Sequence, residues 1–309
     1  MAGAPPGGAR PARHFLEVDD LTGQELAGVL DLAEASDPPL VLAGKGMALL
    51  FEKPSLRTRN ATEMAVVQLG GHPVSVRAEE VDLDVREPVT DVARVLSRYH
   101  AAIGARVFAH ARLERMAAAS QVPVVNLLSD DGHPCQALAD LLTLRQWWGG
   151  SLAGRTIAYV GDANNVCRSL MLGAALAGLE VRVATPASFA PAERDVERAR
   201  ALGGSVEVTT DPGVAVDGVD AVYTDVWTSM GKEDEAEQRR RAFAGFTVDE
   251  GLMARAAASA VFLHCLPAHR GEEVTAGVVD GPQSAVWQQA ENRLHAVRGL
   301  LVFLLGGRP

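Results

Sequence analysis

The chain has 309 residues, with 39 acidic side chains against 29 basic ones and a formal net charge of −10 when histidine is neutral. That length leaves room for two hydrophobic cores, since one core usually stops growing near about 250–300 residues. With 48% apolar and 22% charged residues the chain is not disordered, and its acid excess argues against a general nucleic-acid binder.

No run approaches the roughly 18 apolar residues of a membrane span. Residues 1–13 are rich in Pro, Gly, Ala and Arg and lack an apolar h-region, so they read as a frayed tail without an export signal. Cys135, Cys167 and Cys265 form no CxxC pair. That argues against a disulfide framework or a structural zinc site, and it makes a reducing cytoplasm the expected compartment.

In chain order, short β-rich runs predict strands at 47–51, 74–76, 102–106 and 124–126. Helices are predicted from 56 to about 70, over 91–99 and over 133–147, where Trp147-Trp148-Gly149-Gly150 marks a stop and a domain boundary. A second strand, turn, helix and strand follow at 156–160, Gly161-Asp162-Ala163-Asn164-Asn165, 166–177 and 181–184, with Gly178 ending the helix. This is the βαβ unit of a parallel sheet. Further strands are predicted at 205–209, 221–224 and 261–264, and a last helix at 285–305. The expected fold is α/β: two doubly wound parallel-sheet domains, 1–147 and 148–284, with the C-terminal helix of 285–309 packing back on the first.

Four segments carry chemistry. Ser55-Leu56-Arg57-Thr58-Arg59 opens a helix after a strand, where free N–H groups, hydroxyls and a planar guanidinium suit a phosphate. An ordinary N-cap with exposed arginines is the competing explanation, and a Walker A loop is excluded because its glycines are missing. His133 and Gln136 are spaced to share the first turn of one helix, where an imidazole can polarise a carbonyl and an amide can hold another amide. Asp225, with Ser229 and Met230 behind it, follows a strand and suits an ammonium group, unless the carboxylate merely caps a turn. His264-Cys265-Leu266-Pro267 ends another strand in an X-Pro loop with a possible cis bond. His264 and His269 match no common metal spacing, and Cys265 reads better as a buried or ligand-facing thiol than as a nucleophile.

Together Ser-x-Arg-Thr-Arg, His-Pro-x-Gln, Asp-x-Trp-x-Ser-Met-Gly and His-Cys-Leu-Pro resemble the ornithine carbamoyltransferases, a resemblance that runs from about His14 to the end of the chain. It takes in Gly161–Asn165 and the Ala-Glu-Asn-Arg-Leu-His segment at 290–295 as well. The Ser-Met-Gly element favours an ornithine-type acceptor over aspartate.

The resemblance implies transfer of the carbamoyl group of carbamoyl phosphate to the side-chain amine of L-ornithine, giving L-citrulline and phosphate. It implies no cofactor, no metal and no covalent intermediate. Ser55, Leu56, Arg57, Thr58 and Arg106 would hold the phosphate, and His133, Thr58 and Arg106 the carbonyl oxygen. Gln136, Cys265, Leu266 and Arg293 would orient the carbamoyl end, while Asn165, Asp225, Ser229 and Met230 would hold ornithine, with Cys265 near the reacting amine. A homotrimer with shared sites, no nucleic-acid or membrane partner, and ordered binding with carbamoyl phosphate first are also expected.

The chain departs from the family pattern at the acidic loop of residues 79–84, where Asp82 aligns with a usual Gln or His. It departs again at Arg168, where His or Asn is commoner, and at Gly132, where an aromatic residue usually stands. Two alternatives therefore stay open: a transcarbamoylase for a different amine, such as lysine or a shorter diamino acid, and a non-catalytic carbamoyl-phosphate-binding paralogue.

Overall fold

The computed structural model describes residues 12–228 and 233–306. Its nine strands form two sheets, both wholly parallel. The first has the order β2-β1-β3-β4, from β1 (Gly46–Phe51), β2 (His72–Arg77), β3 (Ala102–Arg106) and β4 (Val124–Leu128). The second has the order β7-β6-β5-β8-β9, from β5 (Thr156–Val160), β6 (Glu180–Ala184), β7 (Ser205–Thr209), β8 (Ala221–Thr224) and β9 (Val261–His264). All nine predicted strands are present. The α/β class follows, with two doubly wound sheets.

Side chains on a strand alternate between faces, and each sheet uses both. Met47, Leu49, Ala102, Val125 and Leu127 face a central core, which also takes Ile157, Tyr159, Val181, Tyr223 and Leu263 from the second sheet. Leu50, Ile103, Ala105 and Val124 turn the other way into an outer core, and Ala158, Val160, Val222 and Phe262 into another. The apolar interior is thus one core shared by both sheets and an outer core under each. Length alone had suggested one core per sheet.

The helices Pro134–Trp147 and Asn165–Ala177 pack on each other in the shared core. Between them the chain reverses through Gly149 and Gly150, at φ of 71° and 127°, a left-handed turn that a Cβ would strain. The last helix, Val286–Leu304, packs on Gly23–Glu34, Leu56–Gln68 and Pro134–Trp147, so it returns to the first sheet as expected.

Residues 1–11 of the expected tail lie outside the described residues, whereas Arg13 is anchored. Its guanidinium binds Glu25 at 2.5 and 2.7 Å and the Asp20 carbonyl at 2.9 Å, and it lies 4.9 Å from the centroid of the Phe303 ring. These bonds tie the incoming chain to the Gly23 and Val286 helices.

Ligands of open α/β sheets sit beyond the carboxyl ends of strands, where the strand order reverses. Here the reversals fall between β1 and β3, and between β5 and β8. The segments leaving these strands begin at Glu52, Val107, Gly161 and Asp225, so both reversals feed one cleft.

Candidate active site

The cleft is about 930 Å³ and is lined from both sheets. On the first-sheet side the Leu56–Gln68 helix starts at Ser55, whose Oγ accepts from the Thr58 N–H at 3.2 Å. Leu56 is 76% exposed and lines the cleft, beside the free N–H groups of this first turn. Thr58 is buried, and its Oγ1 accepts from Arg106 Nη1 at 3.4 Å and from Arg293 Nη2 at 3.1 Å. Arg106 comes from the end of β3, and Arg293, 235 residues beyond Thr58, from the returning helix.

Arg57, Arg106 and Arg293 are the central electrostatic fact. Arg106 and Arg293 are 7% and 4% exposed, yet none of the three forms an ion pair with a described residue. The Nε atoms of Arg106 and Arg293 are buried without a partner. Burial, then the charges of Arg293 and Arg57, push the Arg106 pKa down to about 10. Unneutralised buried cations are expensive, and a bound anion would offset much of that cost.

His133 is the N-cap of the Pro134–Trp147 helix rather than part of its first turn, with φ of −131°. It is buried, and its Nδ1 has no partner. Desolvation, followed by the charges of Arg293, Arg106 and Arg57, holds its pKa well below 6.5, so the ring is neutral at physiological pH. A neutral imidazole can donate to a carbonyl oxygen without carrying a charge of its own.

Gln136 does not line the cleft directly; its Oε1 receives Arg293 Nη1. A buried chain runs on from there. Gln136 Nε2 and Gln289 Nε2 donate to Asp140 Oδ1 at 2.8 and 2.7 Å, and Gln289 Oε1 accepts the His264 N–H at 2.8 Å. His264 Nδ1 accepts from the Leu266 N–H at 2.8 Å, so its Nε2 carries the proton and donates to buried Glu273 at 3.1 Å. Leu266 has φ of 59°, left-handed for a non-glycine residue, and its peptide bond to Pro267 is cis. The His264–Glu273 pair holds this loop in place. Because its Nδ1 lone pair is engaged by the Leu266 N–H, His264 is a poor metal ligand, although Asp225, His264 and Cys265 offer ligand-type atoms within 4.8 Å of one another.

Asp140 gives a pH test. Its burial pushes the pKa up to about 7, against the hydrogen bonds from Gln136 and Gln289 that favour the anion. A carboxyl whose folded pKa is raised stabilises the fold at low pH and loses that contribution as the pH climbs towards the folded value, here between about 4 and 7. Asp140→Asn keeps the shared acceptor and removes the titration. Its melting temperature relative to the parent should therefore be higher at pH 8 than at pH 5, and parallel melting curves across that range would refute the assignment.

On the second-sheet side, Asp225 Oδ1 accepts from the Cys265 thiol at 3.0 Å, and Oδ2 accepts from Asn164 Nδ2 at 2.9 Å. Desolvation and the Asp225 carboxylate push the Cys265 pKa well up, so the sulfur stays a protonated thiol and not a nucleophile. Asp225 is buried and forms no ion pair with a described cation, which leaves a carboxylate facing the cleft. Asn165 lines the same wall and donates to the Ser129 carbonyl at 2.7 Å. Ser229 and Met230 lie outside the described residues.

Sequence reasoning missed Lys53, Asn164, Arg239 and Glu272, which also line the cleft. Asn164 carried a signal, since an Asn at a strand-to-helix turn is a strong N-cap. Its Oδ1 indeed caps the Asn165 helix while its amide steadies Asp225. Asp82, exposed at φ of 46°, lines a separate hollow with Phe108 and Arg112 instead of this cleft. Part of the loop's acidity is matched locally: Asp84 binds Arg112 at 3.2 Å and also pairs with Arg115, and Glu80 lies 3.6 Å from Arg77.

A cleft with unpaired arginines on one wall and an unpaired carboxylate on the other defines a two-substrate α/β enzyme, one site for a small anion and one for a cationic amino compound. The chain belongs to the aspartate/ornithine carbamoyltransferase family: residues 13–146 match its carbamoyl-P binding domain and 153–304 its Asp/Orn binding domain. It is 54% identical to the ornithine carbamoyltransferase of Acidothermus cellulolyticus, over 96% of this chain and 98% of that one. Among solved structures it is similar to ornithine carbamoyltransferase from Pyrococcus furiosus, at a TM-score of 0.91 and 45% identity, covering 96% of this chain and 98% of that chain. The enzyme from Thermus thermophilus gives 0.87 and 48%, covering 95% and 99%.

Proposed function

We infer that the chain is an ornithine-type carbamoyltransferase, moving the carbamoyl group of carbamoyl phosphate to the side-chain amine of L-ornithine to give L-citrulline and phosphate. The family membership supports the reaction. The observation that carries the site assignment is the set of three arginines left without counter-ions around Thr58. In this proposal Ser55, the Leu56 backbone, Arg57, Thr58 and Arg106 bind the phosphate. Arg293, Gln136 and the Cys265–Leu266 backbone hold the carbamoyl end, and Asn165, Asp225, Ser229 and Met230 hold ornithine. The two substrate sites divide between 1–147 with the returning helix and 148–284.

The amine nitrogen adds to the carbonyl carbon, the carbon–oxygen bond to phosphate breaks, and the proton released by nitrogen ends on phosphate. Thr58, Arg106 and neutral His133 stabilise the oxyanion, the charge that grows in the transition state. Free alkyl ammonium groups titrate near about 10.4, whereas the attacking amine must be neutral. Asp225 attracts the charged form, and desolvation in the closed cleft favours the neutral one. Carbamoyl phosphate therefore binds first, closing and drying the site before the amine reacts. A homotrimeric, cytoplasmic enzyme of arginine biosynthesis is the biological setting proposed.

Purified protein with carbamoyl phosphate and a panel of ornithine, lysine and shorter diamino acids tests this, with released phosphate and carbamoylated product both measured. Ornithine turnover should stand at least about 100-fold above the other amines, since a site built to hold one polar group rejects analogues that misplace it. Absence of product with every amine would leave a binding protein. Product inhibition should follow an ordered pattern, and random addition would overturn the order.

A further inference from the structure

The loop that carries His133 is held by one face of a helix from the other sheet. Residues 165, 168 and 169 are spaced i, i+3 and i+4 and so point the same way. Asn165 Nδ2 donates to the Ser129 carbonyl at 2.7 Å, Arg168 Nη1 to the Asp131 carbonyl at 2.9 Å, and Ser169 Oγ accepts the His133 N–H at 2.9 Å. Behind this face stands one carboxylate. Glu17, 3% exposed, accepts the Ser169 hydroxyl at 2.9 and 3.1 Å and Arg168 Nη1 at 2.7 Å, while Arg168 Nε is fixed on Asp195 at 2.8 Å.

Two residues, Gly132 and Arg168, meet this carboxylate. A Cβ on Gly132 would fall well inside van der Waals contact with Glu17 Oε2 and 3.3 Å from Ser169 Oγ. Glycine at 132 leaves the space the carboxylate occupies, and arginine at 168 supplies its counter-charge. Both residues thus answer to the same buried group, 115 and 151 positions away from it in the chain.

We propose that Glu17 is a positioning residue for His133, acting through Ser169 and Arg168, and that Gly132, Glu17 and Arg168 form one mutually dependent set. Ser169 can give its proton to Glu17 only while its oxygen lone pairs remain turned to the His133 N–H, so the carboxylate fixes the orientation of the hydroxyl that anchors His133. This rests on the assignment of His133 to the carbamoyl oxygen. A displacement of a polarising group by even about 1 Å costs rate more than affinity.

The test uses the full chain with carbamoyl phosphate and ornithine. Glu17→Gln and Ser169→Ala should each lower kcat about tenfold, with both KM values within about twofold of the parent. Gly132→Ala should lose kcat in the parent and lose nothing further in a Glu17→Ala background, where the obstructing carboxylate is gone. Unchanged kcat in Glu17→Gln and Ser169→Ala, a loss confined to KM, or equal losses from Gly132→Ala in both backgrounds would each overturn the proposal. A variant that melts lower yet keeps kcat makes Glu17 structural only and overturns it too. If the parent itself forms no citrulline, the functional assignment fails instead, and that outcome is read before any variant.

Discussion

Arg57→Ala is expected to lower kcat/KM for carbamoyl phosphate by about 1000-fold while leaving the melting temperature of the free protein within about 1 °C of the parent. The two halves of that result have one origin. Arg57 sits in the first turn of the Leu56–Gln68 helix, half-buried, and no described side chain pairs with it. Removing it breaks no hydrogen bond or ion pair with a described side chain, so the fold loses little. With a dianion bound, the same guanidinium faces a desolvated phosphate beside Arg106 and Arg293, where a charge-assisted bidentate bond is strong. Steady-state kinetics and thermal melts with and without inorganic phosphate check it: phosphate should raise the melting temperature of the parent and fail to raise that of the variant. Arg57→Lys should recover part of the binding, because a point charge replaces a planar fork. A variant that keeps parental kcat/KM would remove Arg57 from the phosphate site and would undo the argument that unpaired arginines mark it.

What the sequence disclosed follows from how far apart the interacting residues lie. Seven of the strands are mostly buried and read as short apolar runs, while the more exposed edge strands β2 and β7 show as alternating valines, so all nine were visible within a residue or two. The four site segments were visible because each is local, a few consecutive residues at a strand end or a helix start. The Gly23–Glu34 helix was passed over although Thr22 and Glu25 form a capping box, a pattern readable without any structure. Other features had no local signal at all. Asp140 meets Gln289 across 149 residues, Arg293 meets Gln136 across 157, and Glu17 meets Ser169 across 152. Gly132 and Arg168 could be seen to depart from a family pattern, but only the packed structure brings them to the same carboxylate. The shared core had no signal either, because a strand's alternation says that it has two faces and not what covers each one.

Arg106→Met should do the opposite of most core substitutions, raising the melting temperature of the free protein by about 2–6 °C while lowering turnover at least about 1000-fold. Arg106 is 7% exposed, makes one long 3.4 Å bond to Thr58, and is repelled by Arg293 and Arg57. A cation whose folded pKa, about 10, lies well below its ordinary value destabilises the fold throughout the range below about 10. At neutral pH that amounts to roughly 3 kcal/mol. Methionine retains most of the arginine stem and removes the charge, and buried ionic groups replaced by apolar residues of similar shape are often more stable. In the proposed complex the ligand's own charge offsets this cost, so phosphate should narrow the difference between parent and variant. Calorimetry on both proteins, with and without phosphate, reads this directly. A variant that melts lower than the parent without ligand would show that Arg106 contributes to the fold as well as to the site. The unpaired arginines would then not be a strain that the bound dianion relieves, and the site would need another account of why three cations gather where no carboxylate pairs with them.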